Sequence, residues 1–146
     1  LFAVRYVSGV ELFWQYREEE RIIFLPANYI KRMHAEAMED LAVRYTGESN
    51  IPRFISEGDV LFAWWARVVL RAAKPSPNQT INMRNTYCCR SLLADLGHIP
   101  SAGSALVTNA VFTTLTFLLV HQVLEEPLGF TAFEVRNSLV DYRYMN

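Results

Sequence analysis

An α+β fold, with helices packed on a mixed β-sheet, is the class this sequence predicts. Three segments carry apolar residues at the three- and four-residue spacing of a helix, and three others alternate or run apolar over strand lengths. Their order is strand, helix, helix, strand, strand, helix, which suits a helical layer on a sheet. The 146 residues, 51% of them hydrophobic, suffice for one domain or a large piece of one.

The first boundary is the polar region Gln15 to Arg21, whose run "REEER" is mixed in sign and reads as a solvated connection. It separates an apolar opening, "LFAVRYV", from "RIIFL" (Arg21 to Leu25), a short strand closed by Pro26. A helix is predicted from about Ala27 to Tyr45. Ile30, Met33, Ala37 and Leu41 share one face, with Lys31, Arg32, Glu36 and Glu39 elsewhere. "TGESNIP" stops it, with Gly47 near the C-cap and Pro52 beyond.

The next helix has a well-specified start. Ser56 is its N-cap and Asp59 its third residue. The serine accepts a bond from the Asp59 backbone N–H while the acid reaches back, although aspartate is shorter than the usual glutamate. Ile55 and Val60 have the spacing of a hydrophobic staple. Leu61, Trp64, Trp65, Val68 and Val69 form a broad apolar face, with Arg67 and Arg71 projecting outward, so the helix is expected to be deeply packed. The tryptophan pair reads as core rather than as a platform for a cofactor.

"AKPSPNQ" ends this helix as a turn-rich connection. "TINMRNTY" follows as a strand, Ile81, Met83 and Asn85 alternating with Asn82 and Arg84. "ADLGHIPSAGSA" is a loop. A long strand is predicted from Val107 to Val120, and a last helix over "EEPLGFTAFEVRNSLVDY", with Pro127 near its first turn and Leu128, Ala132, Val135 and Leu139 along one face.

Composition excludes several functions. A net charge of −1, from 14 basic and 15 acidic residues without a basic stripe, argues against nucleic-acid binding. The longest apolar run, Val111 to Val120, is too short and threonine-rich to cross a membrane. Cys88 and Cys89 are neighbours that point to opposite faces of a strand, so no bridge is expected, and a reducing, cytoplasmic setting follows. "NQT" at Asn78 matches a glycosylation pattern by chance. The chain begins at Leu1, not Met, and reads as a piece of a longer protein.

No catalytic constellation stands out. His34 lies near an apolar helix face, where a packed, hydrogen-bonded imidazole is the commoner outcome. His98 falls in a loop and His121 at a strand end, both as surface residues. The cysteines lack zinc-knuckle spacing, so no metal site is expected. Glycine-rich phosphate loops, G-x-S-x-G and H-E-x-x-H are absent. Capping accounts for Asp59 beside Glu57.

Five segments, in order, resemble the fungal branch of the CoA-dependent BAHD-type acyltransferases, relatives of trichothecene acetyltransferase. They are "RIIFLPANYIKRMHAEAMEDL", "FISEGDVLFAWWARVV", "TINMRNTYCCRSLL" leading to Arg90, "SALVTNAVF" around Asn109, and "PLGFTAFEVRNSLVDY". The last resembles a PLG-x-x-A-x-x-[VI]-R helix through Pro127, Leu128, Gly129, Ala132, Val135 and Arg136. The resemblance covers Arg21 to Tyr142.

The resemblance implies a chloramphenicol-acetyltransferase-like half-domain. Residues 1–20 would be the end of a preceding half or its crossover, and residues 21–146 an incomplete second half. It implies acyl-CoA as co-substrate, no tightly bound cofactor, and a small-molecule acceptor. The family's catalytic H-x-x-x-D and its D-F-G-W-G motif do not occur here, so no catalytic residue is assigned. Leu106 and Thr108 replace the family's tyrosine and glycine before Asn109, which bears on backbone approach to a ligand there. By the resemblance, Arg90 and Asn109 face the tunnel or the CoA path. The plainer reading has Arg90 tie strand to loop and Asn109 start a strand. A second reading of the whole chain is a non-catalytic binding or dimerisation protein of the same fold, self-associating through its apolar segments. A third, an unrelated small enzyme built around His34, has the least support.

Overall fold

A computed structural model describes residues 22–45, 54–99 and 109–144. Seven elements follow one another: α1 (Ala27–Arg44), α2 (Glu57–Ala73), β1 (Thr80–Cys88), α3 (Arg90–Asp95), β2 (Val111–Leu119), α4 (Val120–Glu125) and α5 (Leu128–Tyr144). The class is α+β, as predicted. The predicted crossover or end of a preceding half (residues 1–20) lies outside the described residues, as do the runs "LFAVRYV" and "REEER".

Helix α1 begins at Pro26, whose carbonyl accepts from Tyr29 and Ile30, and it buries Met33, Ala37 and Leu41. Those are three of the four residues its periodicity placed inward. The predicted strand before it is not formed: residues 22–25 are irregular, and Ile22 and Phe24 are almost fully exposed. A strand is held by a neighbour's ladder, and β1 and β2 pair only with each other among the described residues.

Helix α2 starts as its sequence specifies. Ser56 Oγ accepts from the Asp59 N–H at 3.3 Å, and Asp59 Oδ2 accepts from the Ser56 N–H at 2.7 Å. The short aspartate completes the box. Ile55 and Val60 are fully buried in one cluster. At the other end Lys74 adopts a left-handed φ of 49° as C-cap, and Pro75 prevents continuation.

Among the described residues the sheet is an antiparallel pair, where a mixed sheet was expected. Its register runs from Thr80 opposite Leu119 to Cys88 opposite Val111. The second strand is shorter than predicted. Residues 107 and 108 lie outside the described residues, Asn109 and Ala110 precede the strand, and Val120 already belongs to α4. That turn is set by Gln122, whose Oε1 accepts from the Leu119 N–H at 2.9 Å.

Helix α5 joins the layers, packing on α1, α2 and β2. Its buried Thr131, Ala132, Phe133 and Val135 reach both core clusters or lie beside them. The crossing with α1 is close at Gly129. A β-carbon there would run into the Ala37 carbonyl oxygen and lie 3.1 Å from Asp40 Cβ. The glycine of the "PLG" segment is therefore a packing requirement.

Candidate functional site

The β1–β2 ladder positions both residues singled out by the sequence. Beyond the last strand pair, Cys88 with Val111, the Cys89 N–H donates to the Ala110 carbonyl at 2.8 Å. The next residues outward are Arg90, first in α3, and Asn109, last before the described chain breaks off. Each therefore adjoins the Cys89–Ala110 bond at one end of the sheet, and both are exposed. Asn109 stands two residues before β2 rather than starting it.

The inward face of the sheet grades toward that end. Ile81 pairs with Leu118, Met83 with Thr116, Asn85 with Thr114 and Tyr87 with Phe112. The Tyr87 and Phe112 rings meet edge to face at 5.3 Å. Thr116 Oγ1 donates to Ser138 Oγ at 2.9 Å, Ser138 donates to the Val135 carbonyl, and Thr114 donates to the Asn85 carbonyl. The Thr116–Ser138 bond ties sheet to helix, and the Thr114 bond ties the two strands. The side chains at this end of the sheet are the Arg90 guanidinium, the Asn109 amide and the Tyr87–Phe112 aromatic pair.

Two of the three histidines are held by main chain. His34 Nε2 hydrogen-bonds the Ile55 carbonyl at 2.7 Å, the packed role expected of it. His121 lies on α4 rather than at a strand end, and its Nδ1 faces the Pro77 carbonyl at 3.1 Å. His98 is exposed in the turn after α3. Cys88 and Cys89 are free thiols, and among the described residues no group of three His, Cys, Asp or Glu side chains is placed to hold a metal.

Two charged residues do more than the sequence suggested. Asp59, 4% exposed, caps α2 and also pairs with Arg136 of α5, whose Nε donates to Oδ2 at 2.9 Å. Arg136 in turn lies over the Phe54 ring at 5.6 Å. Arg67 was expected to project outward but turns inward. Its Nε donates to the Val123 carbonyl at 2.8 Å and its Nη2 to that of Glu126, securing the end of α4. Burial pulls the Arg67 pKa below its ordinary value, with Arg71 adding to the effect. The available signal was that α2 has few polar residues, so an inward helix face had to include some of them.

An open cleft of about 500 Å³ lies between α1 and the α4–α5 corner, lined by Glu36, Glu39, Asp40, Arg44 and Glu126 among others. Arg44 bridges it to Glu126 at 2.5 Å, and that bond holds the guanidinium pKa above its ordinary value. Its lining does not include Arg90 or Asn109, and the Arg44–Glu126 pair joins α1 to the corner.

No protein-family model matches the chain. It is 68% identical over 142 residues to the acetyltransferase sphE of Aspergillus fumigatus, covering 97% of this chain and 28% of that protein. It is 33% identical to the O-acyltransferase pboC of Aspergillus ustus, covering 92% of the chain and 26% of the relative. A protein of Penicillium decumbens named as the transcriptional regulator calD is 30% identical over 88% of the chain and 25% of its own length. The chain thus spans little more than a quarter of the relatives it matches. Over nearly its whole length, the chain is a homologue of fungal acetyltransferases and O-acyltransferases.

Proposed function

We propose that this chain is part of an acyl-CoA-dependent acyltransferase that moves an acyl group onto a hydroxyl or amine of a secondary metabolite. The 68% identity to an acetyltransferase across 97% of the chain carries the reading. The fold assigned with it is a chloramphenicol-acetyltransferase-like half-domain, which the α+β arrangement of helices on a sheet suits. In such a reaction a base removes the acceptor's proton, the acceptor attacks the thioester carbonyl, and CoA leaves as thiol. The residues four positions after the three histidines are Met38, Ala102 and Glu125, so H-x-x-x-D is absent and the base lies outside this chain.

Arg90 and Asn109 are assigned to the CoA side. A guanidinium suits phosphate oxygens and a carboxamide suits the amides of the pantetheine arm. Calorimetric titration of the chain with CoA tests this. Arg90→Ala should weaken binding by about tenfold and Asn109→Ala by less, as for one charged and one neutral hydrogen bond. CoA binding indifferent to both changes would remove the assignment. Acylation of an alcohol by the isolated chain would overturn the placement of the base elsewhere.

A second reading, a non-catalytic protein of the same fold, is favoured by the regulator names carried by two relatives. The coding frame on both sides separates the two. Flanks carrying H-x-x-x-D upstream and D-F-G-W-G downstream support the enzyme, and a native product ending at these termini supports the binding protein.

A further inference from the structure

The connection between α2 and β1 takes no part in the reaction assigned above. Lys74 closes α2 in the left-handed region, and Pro75 to Gln79 lead into β1. Proline has no N–H and disfavours a helical residue before it, so Ser76, between two prolines, is kept out of both helix and ladder. Ser76 is exposed, and its carbonyl, accepting from the Gln79 N–H at 3.0 Å, closes the turn into β1. It is also the only serine or threonine followed by proline in the 146 residues. Proline-directed protein kinases take a Ser–Pro bond in such a segment, because their substrate groove leaves unpaired the N–H that any other following residue would carry.

The surroundings suit a phosphate at this serine. From Val60 to Ala94 the chain carries five basic residues and no acidic one. Of the three that precede Ser76, Arg67 is turned inward on main-chain carbonyls, while Arg71 and Lys74 are exposed. Across the connection stands α4. The His121 N–H donates to the Pro77 carbonyl at 3.0 Å, and His121 Nδ1 faces the same carbonyl at 3.1 Å. The imidazole is therefore beside the residue that follows Ser76. An imidazolium donates from both nitrogens, so Nδ1 can keep the Pro77 carbonyl while Nε2 takes a phosphate oxygen. Glu125, exposed one turn further along α4, is the nearest acidic residue to His121 in that helix. A phosphate past a helix C-terminus ordinarily meets carbonyl ends unfavourably. Here the Lys74 N–H already satisfies the Leu70 carbonyl at 2.9 Å, and the Lys74 ammonium is two residues from the serine.

We propose that Ser76 is a phosphorylation site for a proline-directed protein kinase, with the His121 imidazolium receiving the phosphate beside Lys74. Ser76 Oγ attacks the γ-phosphorus of ATP, and the new O–P bond replaces the one to the bridging oxygen. ADP leaves, and the hydroxyl proton passes to the kinase's base. A charge of about −2 placed there draws the connection onto α4. The site does not depend on the acyltransferase reading.

Incubating the full chain with a purified cyclin-dependent kinase and ATP, followed by intact mass and fragmentation, tests the site, with circular dichroism confirming that each variant is folded. One phosphate should enter, on Ser76, and none in Ser76→Ala or Pro77→Ala. A chain that takes no phosphate, or takes it on another residue, would overturn the proposal, as would uptake indifferent to Pro77→Ala. Magnetic resonance titration of the histidine rings before and after phosphorylation tests the receiving group. The pH midpoint of the His121 ring should rise by about one unit. That of His98, beyond the far end of β1, should stay where it was. A His121 midpoint unmoved by the phosphate would overturn its part in the site.

Discussion

Gly129 shows how one missing β-carbon sets the distance between two helices. Alanine there would gain helix propensity of up to about 1 kcal/mol. Its methyl, however, meets the Ala37 carbonyl oxygen, a main-chain atom that cannot rotate away. Overpacking of this kind costs about 1–3 kcal/mol, so Gly129→Ala should lower the urea midpoint of unfolding rather than raise it. Glu134, also on α5, makes a pH-dependent contribution. Burial raises its carboxyl pKa, Arg44 partly opposes this, and Asp141 adds to it. A carboxyl that holds its proton more tightly when folded favours the folded state at low pH. That contribution is lost as pH rises from the unfolded pKa, about 4.3, through the raised folded value. Glu134→Gln should therefore melt higher than the unsubstituted chain at pH 7, with the difference shrinking toward pH 4. An equal difference at both pH values would assign the effect to packing instead.

At the scale of the element, the start of α2 separates a local device from a long-range one. Ser56→Ala removes a cap and should cost about 1 kcal/mol. Asp59→Ala or Arg136→Met leaves the other partner buried without its counter-charge and should cost about 3–5 kcal/mol. The double variant should be less destabilised than the sum, and a denaturation cycle gives the coupling directly. Strict additivity would mean that the two side chains do not depend on each other. The cap was legible in the sequence because Ser56, Asp59, Ile55 and Val60 are close neighbours in the chain. The pair with Arg136 was not, because the two residues lie 77 positions apart and local spacing carries no trace of that contact. The same limit explains why α2 was read correctly only in part: Leu61 and Trp64 pack against the core and Arg71 is exposed as expected, but Trp65, Val68 and Val69 are exposed rather than deeply packed. Its apolar residues run all round, so periodicity could not tell which face would be covered, and Arg67 was placed outward. Helix α4 was hidden for a different reason. "VFTTLTFLLV" stays apolar with no breaker through Val120, and Gln122 alone marks the turn into helix. That Arg90 and Asn109 fall at the same end of the sheet follows from a pairing register that the alternation of β1 made partly readable.

For the whole molecule, the question is whether the two core clusters unfold together. One gathers Met33, Ala37, Ile55, Val60, Ala63 and Phe133, and the other Leu70, Met83, Leu118, Val123 and Val135. Helices α2 and α5 supply residues to both, so neither cluster can lose its walls without opening the other. The β1–β2 pair reinforces the argument. Two strands alone are marginal in water, and this pair is tied to α5 through Thr116 and Ser138. The described residues should therefore unfold as one cooperative unit. Val60→Ala in the first cluster and Val135→Ala in the second should each cost roughly 2 kcal/mol, and each should shift a single transition. With Trp14 replaced by Phe in every chain compared, tryptophan fluorescence reports on α2 through Trp64 and Trp65, and far-ultraviolet circular dichroism on the whole chain. The two signals should coincide in the unsubstituted chain and stay coincident in both variants. If Val135→Ala split them, with the circular dichroism falling before the fluorescence, the sheet and its cluster would be a separate unit, and α5 would not be the element that couples the halves.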